Sequence, residues 1–366
     1  MSRLRSGDWV EVRSKAEILR TLGKNGCLEG LPFMPQMFQY CGQRFRVYKR
    51  AHKTCDTVTG NSLGRKLPDG VHLDLRCDGK AYGSCQAACL IFWKEAWLKP
   101  VMEGAASTVT SPRSDSAPSG KAASAVCTEE DVCNATHVRG PFGEAVYRCQ
   151  ATRLLDYTTQ LPWWDVRQYV EDYTSGNASL GRMACGFLYV AYYFGSLAYR
   201  GRLGRPGRWL YDRFQAMRGG VPFPRREGNI PFGHPTPKCD LNLQPGELVR
   251  VKSFEEIRAS LDTAGQNRGM GFDAELAPYC GGTYRVRARV NNFIDERTGK
   301  MTRLKTPAVL LEGVCCQSRY SHNRMFCPRS IYSWWREIWL ERISETARSD
   351  LSSVARVDRR EEDKVH

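Results

Sequence analysis

Residues Gly7 to Val47 recur. Displaced by 239 positions they fall on Gly246 to Val286 without a gap, and 15 of the 41 pairs are identical. Among them are Val10/Val249, Val12/Val251, Ser14/Ser253, Glu17/Glu256, Gly26/Gly265, Phe33/Phe272, Tyr40/Tyr279 and Cys41/Cys280. The two copies then run, with small shifts, to a shared ending: Phe92-Trp93-Lys94-Glu95-Ala96-Trp97-Leu98 against Trp334-Trp335-Arg336-Glu337-Ile338-Trp339-Leu340. A chain that writes one module twice must give each copy its own core and find a place for whatever lies between. At 366 residues it is long enough for two or three compact domains.

Each copy opens on a short alternating strand, Trp9 to Val12 or Leu248 to Val251, as a half-buried strand requires. A helix follows, announced by the capping boxes Ser14-Lys15-Ala16-Glu17 and Ser253-Phe254-Glu255-Glu256, and expected to run to Gly26 and Gly265. Prolines keep Gly30 to Pro35 irregular, and strands are expected near Phe45 to Tyr48 and Val71 to Leu75. Short strands, one small helix and many turns suggest a small, partly open barrel of the SH3-like kind. The tryptophans one turn apart, Trp93/Trp97 and Trp335/Trp339, suggest a closing amphipathic helix whose large rings form a buried face rather than a ligand platform.

The expected organisation is α+β: a Cys-rich module at 1–101, an Ala/Ser/Thr/Gly/Pro linker at 102–126, a mostly helical middle segment at 127–241, the second module at 242–342 and a charged tail at 343–366. In the middle segment a helix is expected from Trp163 to Tyr173, entered through Pro162. A second contains the uncharged run Met183 to Tyr199, 17 residues that only reach the lower limit for crossing a bilayer. Glycines, a serine and several tyrosines favour a buried helix over a span. The run is followed by Arg200, Arg202, Arg205, Arg208 and Arg213, interleaved with Trp209, Tyr211 and Phe214. In a chain with a net charge of +15 this patch is a candidate site for a polyanion, nucleic acid or an anionic membrane surface, with a solvated face as the plain alternative.

The 15 cysteines are the chemical feature. The first residues form no secretory signal, so the cytoplasm is the expected compartment, and there a disulfide framework would be kept reduced. Metal ligation or reactive thiols remain. Cys77, Cys85 and Cys89, spaced C-x7-C-x3-C, can converge from one loop, with Cys55, Cys149, His52 or His72 as a fourth ligand. The second module keeps Cys280 opposite Cys41, and Cys315, Cys316 and Cys327 opposite the Cys77 to Cys85 region; Cys149-Gln150-Ala151 echoes Cys85-Gln86-Ala87. Such thiolates suit zinc or an iron–sulfur cluster, which spacing does not separate. Nucleotide-binding glycine loops and a serine nucleophile elbow are missing from the sequence.

The segments Gly30-Leu31-Pro32-Phe33-Met34-Pro35, Tyr40-Cys41-Gly42, Lys53-Thr54-Cys55-Asp56, Cys85 to Glu95 and Trp335 to Leu340 resemble a bacterial family of Cys-rich proteins. The resemblance spans both modules and the middle segment. It implies that the whole chain is the natural unit and implies no activity. The modules also resemble, as a fold analogy, the SH3-like folds of electron-transport accessory proteins. The expectation is a cytoplasmic metal-thiolate protein, in a redox or biosynthetic role, with nucleic-acid binding or peripheral membrane attachment as the alternatives.

Overall fold

Val10 and Val12 point the same way from the strand Trp9–Val12 and are fully buried, while their neighbours are half-buried, so alternation sets which face closes the core. This computed structural model describes residues 3–60, 63–101, 127–198, 204–217, 220, 227–320 and 322–343. The expected linker at 102–126 and almost all of the charged tail lie outside the described residues. Backbone contacts divide the chain into two units, Met1–Ala198 with Asn292–Arg303 and Cys316–Ile331, and Tyr199–Asn291 with Leu304–Cys315 and Tyr332–His366. The architecture is mixed helix and strand with small sheets, consistent with α+β.

In the first unit Trp9–Val12 lies antiparallel between Leu98–Pro100 and Arg44–Arg46, with Val12 opposite Leu98. In the second unit Leu248–Val251 lies antiparallel between Leu340–Arg342 and Thr283–Ile294, with Val251 opposite Leu340. Helices Lys15–Thr21 and Phe254–Ala259 both start on complete capping boxes, Ser14 with Glu17 and Ser253 with Glu256. Both stop earlier than expected. Trp97 Nε1 donates to Thr21 Oγ1 at 3.1 Å and Trp339 Nε1 to Ser260 Oγ at 3.0 Å, so the last turn is claimed by a tryptophan. Gly26 and Gly265 instead take left-handed backbone, φ 69° and 73°, a few residues later. Their carbonyls accept from Phe33 and Phe272, each at 2.9 Å.

The expected closing helix is not formed. Trp93–Lys94 is a strand, Glu95–Trp97 a 3-10 turn and Leu98–Pro100 a strand; Tyr332–Arg336, Glu337–Trp339 and Leu340–Arg342 repeat the series. A strand running into a 3-10 turn brings residues four apart to one side, as a helix does, so the spacing alone is ambiguous. The rings are fully buried. Phe33 meets Trp97 edge-on at 5.1 Å, and Phe272 meets Trp339 at 5.4 Å. The other two expected strands are displaced, to Arg44–Arg46 and Lys49–Arg50 and to Gly70–His72.

The middle segment is less helical than expected. It begins with a short helix, Glu129–Asn134, and a hairpin, His137–Arg139 with Ala145–Tyr147. Thr159–Leu161 then adds an edge strand to Gly64–Lys66 and Lys53–Cys55. The helix expected from Trp163 begins at Arg167, whose N–H donates to Asp165 Oδ1 at 3.1 Å, while the Trp163 carbonyl is taken by the Tyr169 hydroxyl. Helix Leu180–Ala198 contains most of the uncharged run, and among the described residues no helix is long and apolar enough to cross a membrane.

Candidate functional site

The site grows from the loop between Cys77 and Cys89. Cys77 N–H donates to the Cys89 carbonyl at 2.9 Å, and Arg76 bridges Leu90, so the two strands of the loop start paired. The chain between them turns tightly on Gly79, whose carbonyl accepts from Tyr82 at 2.9 Å and Ser84 at 3.0 Å. Gly79 has φ +71°, and a Cβ there would sit 1.9 Å from the Cys85 carbonyl oxygen. Ser84 and Ala88 hold positive φ, 59° and 50°, without being glycine. Non-glycine residues rarely adopt that backbone, and here it flanks Cys85 and precedes Cys89.

Cys149 arrives from the middle segment beside a glutamine that mimics a strand. Gln150 accepts from Phe92 N–H at 2.9 Å and donates to the carbonyls of Phe92 at 2.9 Å and Pro32 at 3.0 Å. In the same manner Gln86 Oε1 accepts from Asn292 N–H, and Gln86 N–H donates to the Asn292 carbonyl, both at 3.0 Å. The repeated Cys-Gln-Ala is thus a packing device: glutamine ties the cysteine-bearing segment to its neighbour, and the alanines line the pocket.

That space is a narrow pocket of about 30 Å³, lined by Cys77, Cys85, Cys89 and Cys149, with Met34, Phe92 and Ile294 among its apolar walls. It has room for an ion or a water or two. N–H groups face three of the sulfurs. Gln36 Nε2 donates to Cys77 Sγ at 3.1 Å and Ile294 N–H to Cys85 Sγ at 3.4 Å. Backbone donors of Thr152 and Ala151 favour the anion at Cys149, as Gly79 does at Cys77. Burial works against them. It pushes the Cys77 thiol up to about 12, raises Cys149 and carries Cys89 well above the ordinary thiol range. Without a cation these thiols stay protonated.

A second thiol group lies in the same unit. Cys55 and Cys327 are both buried. The Cys327 side chain and the Arg329 cation draw Cys55 down against its burial, while Cys55 and burial carry Cys327 well above the ordinary thiol range. Arg329 assists. Its Nη1 reaches Cys55 Sγ at 3.9 Å, the Cys55 carbonyl at 3.3 Å and Thr57 Oγ1 at 2.8 Å, while Nη2 meets both Glu296 oxygens at 3.2 Å. Arg329 also lines the four-cysteine pocket. Cys316, in the same unit, has Sγ 3.8 Å from Ser318 Oγ and adds to the charge felt by Cys327.

The remaining candidates stand apart. Cys41 and Cys280 cap the 3-10 helices Pro35–Tyr40 and Ala274–Tyr279 and pack on the cores of their own units. Burial raises Cys41 and pushes Cys280 to about 12. His52 Nε2 lies 3.2 Å from Asp172, and His72 Nδ1 hydrogen-bonds the Ile91 carbonyl at 2.8 Å, so neither lines the pocket. Of the arginine patch, Arg200 and Arg202 lie outside the described residues. Arg205 belongs to helix Gly204–Met217, and its side chain is not described. Arg208 and Arg213 are exposed on that helix, with Arg213 over the Trp209 ring at 5.4 Å. Arg329, Glu296 and Gln36 carry no motif that spacing could reveal.

Among the described residues no two cysteines are joined in a disulfide. Among the described residues no three or more Cys, His, Asp or Glu side chains are arranged to hold one metal ion. No protein-family model, curated protein or solved structure matches this chain.

Proposed function

We propose that the first unit carries a metal-thiolate centre, zinc or iron–sulfur, held by Cys77, Cys85, Cys89 and Cys149. The observation that carries this reading is the convergence of four cysteine side chains, from a strained loop and a distant segment, on one apolar pocket. N–H donors aimed at sulfur stabilise a thiolate and tune a bound metal, and a protonated thiol gains nothing comparable from them. As they stand these side chains are not arranged to hold one ion, so binding requires the sulfurs to move toward one another. Free thiols in this number fit a reducing compartment such as the cytoplasm. The two units' shared series of strand, capped helix, hairpin and tryptophan turn supports reading them as copies of one SH3-like module. Among the described residues the four-cysteine pocket belongs to the first unit, so we assign the centre to one copy, as a structural element or part of a redox or biosynthetic enzyme.

Purification without oxygen, with metal analysis and a visible spectrum, tests this. Bound zinc without colour, or iron with visible absorbance, is the expected result, lost when Cys77, Cys85 and Cys89 are changed to serine. A folded, colourless, metal-free protein would overturn it.

A second reading has one observation behind it. Exposed Arg208 and Arg213 share a helix with Trp209, which is 60% exposed, an arrangement suited to phosphate and base contacts. It requires nucleic-acid affinity that falls steeply with salt and weakens in an Arg208→Ala, Arg213→Ala double variant.

A further inference from the structure

A second cavity in the first unit shares a wall with the four-cysteine pocket. Tyr82, only 2% exposed, lines both. Chain neighbours part between them: Met34 and Cys149 line the thiol pocket, Phe33 and Arg148 the second cavity. At about 300 Å³ this cavity falls in the size range of small-molecule pockets. Part of its lining is apolar and fixed, with Phe33 and Val132 almost fully buried. The rest carries charge. Lys24 reaches it from the loop after helix Lys15–Thr21, Arg148 from the end of strand Ala145–Tyr147, and Arg153 from the turn beyond Cys149. Backbone bonds place both arginines: Arg148 N–H donates to the Thr136 carbonyl at 2.7 Å, and Arg153 N–H to the Cys149 carbonyl at 3.1 Å. Asp131 Oδ2 holds Lys24 Nζ at 3.0 Å, and Asp156 pairs with Arg153. Among the described residues Arg148 has no carboxylate at ion-pair distance, so three cations stand against two carboxylates and one positive charge is left over.

We propose that this cavity binds a small organic anion: one carboxylate or phosphate group on an apolar, ring-sized body. The anionic group meets the Arg148 guanidinium, whose paired N–H groups match two oxygens at once, with Arg153 and Lys24 adding to the positive field. The body lies against Phe33, Tyr82 and Val132, where leaving water is favourable. A neutral analogue leaves the Arg148 charge unanswered, and acetate has no body to bury. Cys27 lines the same cavity, half-buried, with Sγ donating to the Asn25 carbonyl at 3.4 Å, and an occupant covers it. Binding here needs no ion among the four cysteines, so its outcome is separate from that of the metal centre.

The test reads Cys27 in the reduced, full-length protein. Iodoacetamide is applied in the presence of phenylacetate, phenyl phosphate, phenylacetamide or acetate, and alkylation is followed at each cysteine by peptide mapping. Phenylacetate or phenyl phosphate is expected to slow labelling of Cys27 by on the order of tenfold at saturation, half-maximally at about 1 mM or below, and to leave the exposed Cys185 unaffected. Whichever protects at the lower concentration identifies the anionic group. Phenylacetamide and acetate are expected to need concentrations higher by on the order of tenfold, and so is the better anion in Arg148→Ala, a change at an exposed position. The proposal is overturned if neither aromatic anion protects Cys27, if Cys185 is slowed equally, if phenylacetamide protects as well as the anions, or if Arg148→Ala leaves the midpoint unchanged.

Discussion

The space that holds Cys85 in place exists because residue 79 has no side chain. A Cβ at Gly79 would overlap the Cys85 carbonyl oxygen, 1.9 Å away, and φ is +71°. A left-handed non-glycine residue costs about 1–3 kcal/mol by itself, and the backbone overlap adds to it. Gly79→Ala is therefore expected to lower stability by about 3 kcal/mol or more and to abolish any metal held at the pocket, read by thermal melting and metal content. His72 gives a pH signature. Burial holds its imidazole down to about 3 against an ordinary 6.5, with the Ile91 carbonyl only partly opposing. Below pH 6.5 the unfolded chain takes up a proton that the folded chain refuses until about pH 3, so this group's contribution is complete above 6.5 and is lost on acidification through that window. The slope is about 1.4 kcal/mol per pH unit at most. Denaturant midpoints from pH 7 to 4 are expected to fall less steeply in His72→Gln.

At the scale of elements, the Gln150 amide stands in for a strand. It serves Phe92 N–H and the carbonyls of Phe92 and Pro32 from a site only 3% exposed. Gln150→Leu keeps the volume and strands those backbone groups, at about 1–3 kcal/mol for each left unsatisfied. Amide exchange at Phe92 should accelerate, along with that of Ile91, which pairs with Leu75 at the base of the cysteine loop. An unchanged exchange pattern would mean that Gln150 is not what holds Cys149 at the pocket. The capped helices were legible at this scale because a capping box is a relation between residues three apart. The tryptophan endings were not: four-residue spacing is compatible with a helical face and with a strand entering a 3-10 turn, and only the facing Phe33 and Phe272 decide between them.

At the scale of the molecule, each unit has its own apolar core, one around Trp93 and Trp97 and one around Trp335 and Trp339. A centre confined to the first unit then makes a selective prediction, because binding stabilises only what it binds. Metal removal by a chelator is expected to speed amide exchange around Val10, Trp93 and Val71 and to leave Val249, Val286 and Trp335 unchanged. A uniform change across both sets, or none, would count against a centre in the first unit.

The recurrence of Gly7 to Val47, the alternating strands, the helix starts and the count of 15 cysteines need no tertiary structure to be seen, and the sequence alone determined them. Which cysteines meet was decided only in three dimensions. Cys149 lines the same pocket as Cys77, Cys85 and Cys89, whereas Cys55 lies beside Arg329, and Cys41 and Cys280 cap helices. Spacing rules reach as far as a loop or a helical turn; contacts between segments separated by most of the chain depend on how sheets and cores close, and no local pattern encodes them.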